Sequence, residues 1–370
     1  MAELPSAEQK EIFKRRSDLI KFILTFGVVW GHALNWKVYS LSELSTGFSA
    51  FVYQLEYNCF VLFGLMVPMF YFLSGFSYFG NYTLATTLDK WKRRFFTLLI
   101  PWLCWNTIIW GLNILIRQIP SIASHLNTDA EYKLTLRSWF ITGLMNSADG
   151  PMWFIKNLIV LTLLSPAIYL LIKNKYVGIA AISGSLAAVY FTGASRFSVL
   201  ISLVFFMEAG YCSLHLKSLF LRRYSRSARL CAASLLLAYM FLCRSESLQE
   251  GALAYALTFT VADPAVWVLT GDTEMSGRSK KLNDYRFWIY SSHYFLLESI
   301  EKLFLIFLGT SGYAALADFI LAPILTLILV IALGWGVKKY LPTVWAVLNG
   351  HIPSYKKNNI VYASIYKSHP

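Results

Sequence analysis

The sequence predicts an all-α polytopic bundle of about ten transmembrane helices with both termini cytoplasmic, and three observations carry that prediction. First, 56% of its 370 residues are hydrophobic and only 14% are charged, with a mean hydropathy of +0.51, too apolar for a water-soluble domain of this size. Second, the apolar residues gather into runs of about 20, the length that crosses a hydrocarbon core as helix. Third, Lys and Arg are unequally shared between alternate connecting segments, as the positive-inside rule requires.

The apolar runs fall at about 19–36, 58–79, 95–116, 152–172, 176–193, 197–214, 229–244, 252–271, 286–308 and 313–340. The seventh is short and the ninth contains Glu298, Glu301 and Lys302. With the N-terminus inside, 24 Lys and Arg residues lie in cytoplasmic segments and 6 outside: Lys37, Arg117, Lys133, Arg137, Arg196 and Arg244. The net charge of +13 is then topological, with attraction to anionic membrane lipid, and no nucleic-acid partner is needed to explain it. The first run follows a basic segment but lacks a small-x-small cleavage site, so it reads as a retained span. Residues 1–341 form the membrane domain and 342–370 a polar cytoplasmic tail. The loop at roughly 117–151, with Pro120 and the turn signal NSADGP, suits a lid or a short re-entrant piece. The five cysteines lie in or beside apolar runs without CxxC or metal spacing, so neither a metal site nor a disulfide framework is expected.

Ionisable residues inside spans face cavities or partners more often than lipid. In DLIKFILTFGVVWGHALNW, Lys21 and His32 are eleven positions apart, which puts them within about 20° of one helix face and about 16 Å apart along it. Asp18, one turn before Lys21, is placed to pair with it. The pattern fits a snorkelling ion pair with a hydrogen-bonded histidine, and it equally fits a donor-side cation with a reaction-side base. The ninth span opens RFWIYSSHYFLLE, where Arg286, Tyr290 and His293 share a face, as interfacial anchors or as part of a site. Glu298 and Lys302 are spaced to neutralise each other. Glu208 and Asp263 are single acids in apolar surroundings with a plausible counter-ion role. In PMFYFLSGFSYF, Ser74 and Gly75 lie near the inner face, where glycine allows close backbone approach. In KWKRRFFTLLIP, Lys92, Arg93 and Arg94 precede a span, either as topology signals or as holders of an anion such as a phosphate.

Taken together these stretches resemble the acyltransferase-3 family of integral membrane acyltransferases, in particular its surface-polysaccharide O-acetyltransferase branch. DLIKFILTFGVVWGH resembles the first-span signature of a basic residue followed by histidine. MFYFLSGF, KRRFFTLLIPWLCW, GPMWFIKNLIVLTLLSPAIY, VFFMEAGYCSL and YRFWIYSSH resemble further elements in the family's order, over about residues 18–295. The resemblance implies transfer of an acyl group, usually acetyl, from cytoplasmic acyl-CoA to a hydroxyl of a surface or lipid-linked glycan in a bacterial inner membrane. It implies His32 as the catalytic residue, assisted by Lys21, where Lys keeps the charge of the more frequent Arg but not its bidentate hydrogen bonding. Acyl-CoA is then expected at Arg93, Arg94, Ser74 and Gly75, with Tyr290 and His293 completing the pocket. Trp153, at an outer helix end, suits stacking on the acceptor sugar. A non-catalytic glycan or small-molecule exporter, or a membrane scaffold, are other readings of the same polar residues; neither would depend on acyl-CoA.

Overall fold

The computed structural model describes residues 7–42, 47–119, 132–244, 251–271, 273–351, 353–356 and 359–362. In lipid an apolar chain satisfies its own backbone by forming helix, and helix dominates the described residues. α1 (Ala7–His32) is followed by α2 (Phe48–Phe63) and α3 (Met66–Phe79). α4 (Thr87–Arg94) runs through a widened turn at Phe95–Leu99 into α5 (Ile100–Ile116). Next come α6 (Trp153–Leu163), α7 (Ser165–Ile172), α8 (Lys175–Thr192), α9 (Val199–His215) and α10 (Arg226–Leu242). α11 (Ala252–Thr270), α12 (Gly277–Asn283), α13 (Arg286–Leu308), α14 (Gly312–Tyr340) and α15 (Pro342–Leu348) complete the helices. A short antiparallel hairpin of β1 (Pro353–Lys356) and β2 (Asn359–Tyr362) follows.

All ten apolar runs carry helix, but five helical segments are long and apolar enough to cross a membrane by themselves: Phe48–Phe79, Leu84–Ile116, α8, α11 and α14. The bent pair α6 and α7 makes a sixth if it counts as one span. The shortfall from ten has visible causes. α1 is charged through its first half, α9 and α10 are 17 residues each, and α13 contains two acids and a lysine.

Prolines shape several of these helices. Pro166 has no N–H to offer the carbonyl of Thr162, and α6 and α7 meet at 66°. The released Thr162 carbonyl accepts instead from Trp91 Nε1 at 2.8 Å, which ties the bend to α4. Widened turns precede Pro101 and, within α11, Pro264 (Thr258–Ala262), where the ring would clash with the carbonyl four residues back.

At the centre of the bundle α3 crosses α9, and Gly75 lies at that crossing. A Cβ at Gly75 would fall 2.7 Å from the Phe206 carbonyl oxygen and 2.8 Å from the Ala209 Cβ. Small residues let membrane helices approach this closely. Gly75→Ala is therefore expected to destabilise the protein by about 1–3 kcal/mol through overpacking. Thermal unfolding in detergent reads this out, and an unchanged midpoint contradicts the tight crossing.

Two regions differ from a simple reading of the sequence. The bundle continues past residue 341: Trp345 is buried, its ring lies 5.2 Å from that of Trp288, and Trp105 Nε1 donates to the Leu348 carbonyl at 3.0 Å. Of the loop at 117–151, residues 120–131 lie outside the described residues. Its later part forms a short helical piece packed on α5, with Trp139 Nε1 on Thr107 Oγ1 at 3.0 Å and Trp110 Nε1 on Ser138 Oγ at 3.2 Å.

Candidate active site

The His32 side chain opens onto a cavity of about 610 Å³ lined by α1, α2, α3, α6, α9, α10, α11 and α13 and by the turn at Arg196 and Phe197. Its walls are mainly aromatic and aliphatic, with Tyr71, Tyr294 and Thr258 among the lining residues that carry a hydroxyl. Trp153 lines the same cavity and meets Phe197 edge to face at 5.0 Å between ring centroids. His32 is the last residue of α1. It is exposed although protein surrounds it, because its open side is the cavity.

Two side chains of α13 back the His32 ring. Its centroid lies 5.4 Å from that of His293, and 5.0 Å from that of Tyr294 in an edge-on contact. His293 is fully buried. Its Nδ1 lies 3.0 Å from the Ile289 carbonyl and 2.8 Å from that of Tyr290. Carbonyls only accept, so Nδ1 carries the proton, and in the neutral ring Nε2 is left as an acceptor. That Nε2 is buried and has no hydrogen-bond partner among the described residues. Tyr290 donates its hydroxyl to the Pro151 carbonyl, which fixes the turn leading into α6 and Trp153. In the same turn Asp149 is buried, and burial pushes its carboxyl well above the usual range, favouring the protonated form.

The chain leaving α1 is clamped just beyond His32. Glu56, fully buried on α2, accepts from the backbone N–H groups of Asn35 at 2.8 Å and Trp36 at 3.0 Å. Asp318 on α14 accepts from Asn35 Nδ2 at 3.1 Å and from the Tyr39 hydroxyl at 3.2 Å. α2 and α14 thereby fix the α1 terminus and the direction of the imidazole it carries.

The structure brings His32, His293 and Trp153 to one place, with Tyr290 behind them, and it leaves the other sequence candidates elsewhere. Lys21 is on α1 about 16 Å from His32 along the axis. It is absent from the cavity lining, as are Ser74, Gly75, Arg93 and Arg94. Arg94 sits over the Tyr78 ring at 5.6 Å. Asp18 receives Arg286 Nη1 at 3.3 Å, so the pairing expected within α1 has a partner from α13. Glu208 accepts from Cys212 Sγ at 3.4 Å, and both oxygens of the fully buried Asp263 lack partners among the described residues. Sequence reasoning passed over Arg196, Tyr294 and Glu56. For Glu56 the signal was an acid within an apolar helical stretch; Arg196 looked like any other loop cation. Among the described residues, no group of three or more His, Cys, Asp or Glu side chains is arranged to hold a metal.

A helical integral membrane protein with a histidine pair against an aromatic cavity has the parts for proton transfer to or from a bound ligand. The chain belongs to the acyltransferase-3 family, whose acyltransferase domain matches residues 15–338. It is accordingly a membrane acyltransferase. Neither the curated proteins nor the solved structures contain a match.

Proposed function

We propose that this protein is an O-acyltransferase that moves an acyl group, most simply acetyl, from cytoplasmic acyl-CoA to a hydroxyl of a surface or lipid-linked glycan. The observation carrying this reading is the His32 imidazole facing a large aromatic cavity with His293 behind it. The 24-to-6 distribution of Lys and Arg supports ten spans with both termini cytoplasmic, and the family resemblance suggests a bacterial inner membrane. Lys21, Arg93 and Arg94, on the cytoplasmic side in that topology, hold the phosphates of the donor.

His32 acts as general base. It takes the acceptor hydroxyl proton as the oxygen attacks the thioester carbonyl. The tetrahedral intermediate then collapses, the C–S bond breaks, and the imidazolium returns its proton to the departing CoA sulfur. The cavity admits the sugar, with Trp153 as its stacking face. His293 Nε2 accepts from an N–H of His32 once the rings close up on substrate binding, which keeps the other His32 nitrogen pointed at the hydroxyl.

Purified protein in lipid nanodiscs, given acyl-labelled CoA and a host glycan, is expected to form a glycan ester and release CoA in equal amounts. Glycan movement without ester formation supports an exporter instead. In the same assay His293→Leu is expected to lower kcat by roughly 10²-fold. His293→Gln, whose amide oxygen can replace Nε2 as acceptor, is expected to recover part of the loss. A His293→Leu enzyme with the wild-type rate and pH profile removes His293 from the mechanism.

A further inference from the structure

We propose that a hard divalent cation, calcium or magnesium, binds behind the end of α1, held by Glu56, Asp318 and the side-chain oxygen of Asn35. The site stands apart from the His32 cavity, since none of the three residues lines it. A bound ion would tie α2 and α14 to the chain just beyond His32, whatever chemistry the histidine performs.

Glu56 and Asp318 are 0% and 1% exposed, and Asn35, 3% exposed, is hydrogen-bonded to both. The surrounding donors reach only one oxygen of each carboxylate. Glu56 Oε2 takes the backbone N–H groups of Asn35 and Trp36, and Asp318 Oδ2 takes Asn35 Nδ2 and the Tyr39 hydroxyl. Glu56 Oε1 and Asp318 Oδ1 are buried with no hydrogen-bond partner among the described residues. Asn35 Oδ1 is buried and unpartnered there as well. Its amide cannot be turned over to cure this, because Nδ2 already faces two acceptors, Asp318 and the Ala315 carbonyl at 3.2 Å. Three oxygens, from the α1 terminus, α2 and α14, are thus joined through Asn35 and lack a donor.

Charge points the same way. Two buried carboxylates repel each other and are costly without a counter-charge. Among the described residues no Lys, Arg or His pairs with either of them. Glu301 on α13 adds a third acid within electrostatic reach, and Lys302 beside it offsets that one. A single divalent ion neutralises Glu56 and Asp318 together, whereas a shared proton offsets half of their charge. Two carboxylates and an amide, with water completing the shell, are the all-oxygen donors that calcium and magnesium take; a zinc site would draw on His or Cys.

The test uses the intact protein in nanodiscs, stripped with EDTA and titrated with terbium(III), a luminescent stand-in for calcium, under tryptophan excitation. Trp36 donates its backbone N–H to Glu56 and so lies beside the site. Saturable terbium emission is expected, displaced by CaCl2 or MgCl2, and the salt effective at the lower concentration identifies the ion. The unfolding midpoint is expected to be higher in millimolar CaCl2 or MgCl2 than in EDTA with NaCl at equal ionic strength, because the ion binds the folded protein alone. Glu56→Gln and Asp318→Asn keep the shape and an accepting oxygen but remove the charge. Each is expected to weaken terbium binding by at least about tenfold and to abolish the rise in midpoint. Glu274→Gln, an exposed acid elsewhere, keeps both. A wild-type midpoint that is the same in calcium, magnesium and EDTA overturns the proposal, also where it moves with pH, which would assign the carboxylates a proton. Terbium emission that survives both substitutions overturns it too, as an adventitious ion only. If a variant fails to fold, the wild-type midpoints decide, and neither readout involves acyl transfer.

Discussion

Replacing His32 with alanine is expected to lower acyl transfer by about 10²–10⁴-fold, the range removed with a positioned general base, while the protein stays folded. The side chain faces the cavity and is held by ring contacts with His293 and Tyr294, so its loss enlarges a space that already exists. His32→Gln separates shape from proton transfer: an amide fills a similar volume and hydrogen-bonds, but it cannot take the hydroxyl proton. The two variants should therefore be similarly inactive. Added imidazole should restore part of the alanine enzyme's rate, since the vacated site opens on a cavity of about 610 Å³, and it should do little for the glutamine enzyme. Acceptor binding, read by tryptophan fluorescence, should survive in both. Wild-type ester formation by His32→Ala at equal protein level would remove His32 from the chemistry.

Hydropathy located each helical run because spans in lipid must be long, apolar and internally hydrogen-bonded. It could not say how runs bend, since a bend depends on whether a freed carbonyl finds a donor elsewhere, as the Thr162 carbonyl finds Trp91. The site was partly legible for a related reason. His32 and Trp153 are polar or amphipathic residues at the ends of apolar runs, where cost to the membrane marks them out. That His293 stands behind His32, and that Asp18 reaches Arg286, depends on how α1 packs on α13. No spacing within either helix encodes that. Arg196 was invisible for the opposite reason: in a loop, a cation that lines a cavity and one that merely sets topology have the same sequence signature.

Arg16→Met is expected to be the most destabilising single change away from the cavity, by about 1–3 kcal/mol for the buried Gly271 carbonyl that loses its donor, with a smaller loss at the part-buried Arg222 carbonyl. In the run Lys14-Arg15-Arg16 the sequence offers three equivalent cytoplasmic charges, but Arg16 alone of them is fully buried. Its Nε donates to the Gly271 carbonyl at 2.9 Å, Nη1 to that of Phe220 at 2.9 Å and Nη2 to that of Arg222 at 2.8 Å. The guanidinium lies over Tyr224 at 4.7 Å and Trp267 at 5.8 Å. Methionine keeps the apolar stem but none of the donors. The Phe220 carbonyl retains Trp267 Nε1 at 2.8 Å, so the Gly271 and Arg222 carbonyls bear the loss. Arg16→Lys, with one compact ammonium for three divergent acceptors, should fall between. Arg15 is the control: it is partly exposed, pairs with Glu11 at 2.9 Å and Glu274 at 2.6 Å, and its alanine variant should cost under about 1 kcal/mol. Arg16 pins the start of α1 to the end of α11 and to the segment before α10, and α1 ends in His32. Loosening that anchor should therefore lower the unfolding midpoint in detergent first, and activity only as the folded fraction falls. If Arg16→Met unfolds at the same temperature as Arg15→Ala, the buried guanidinium is not what holds α1 in place.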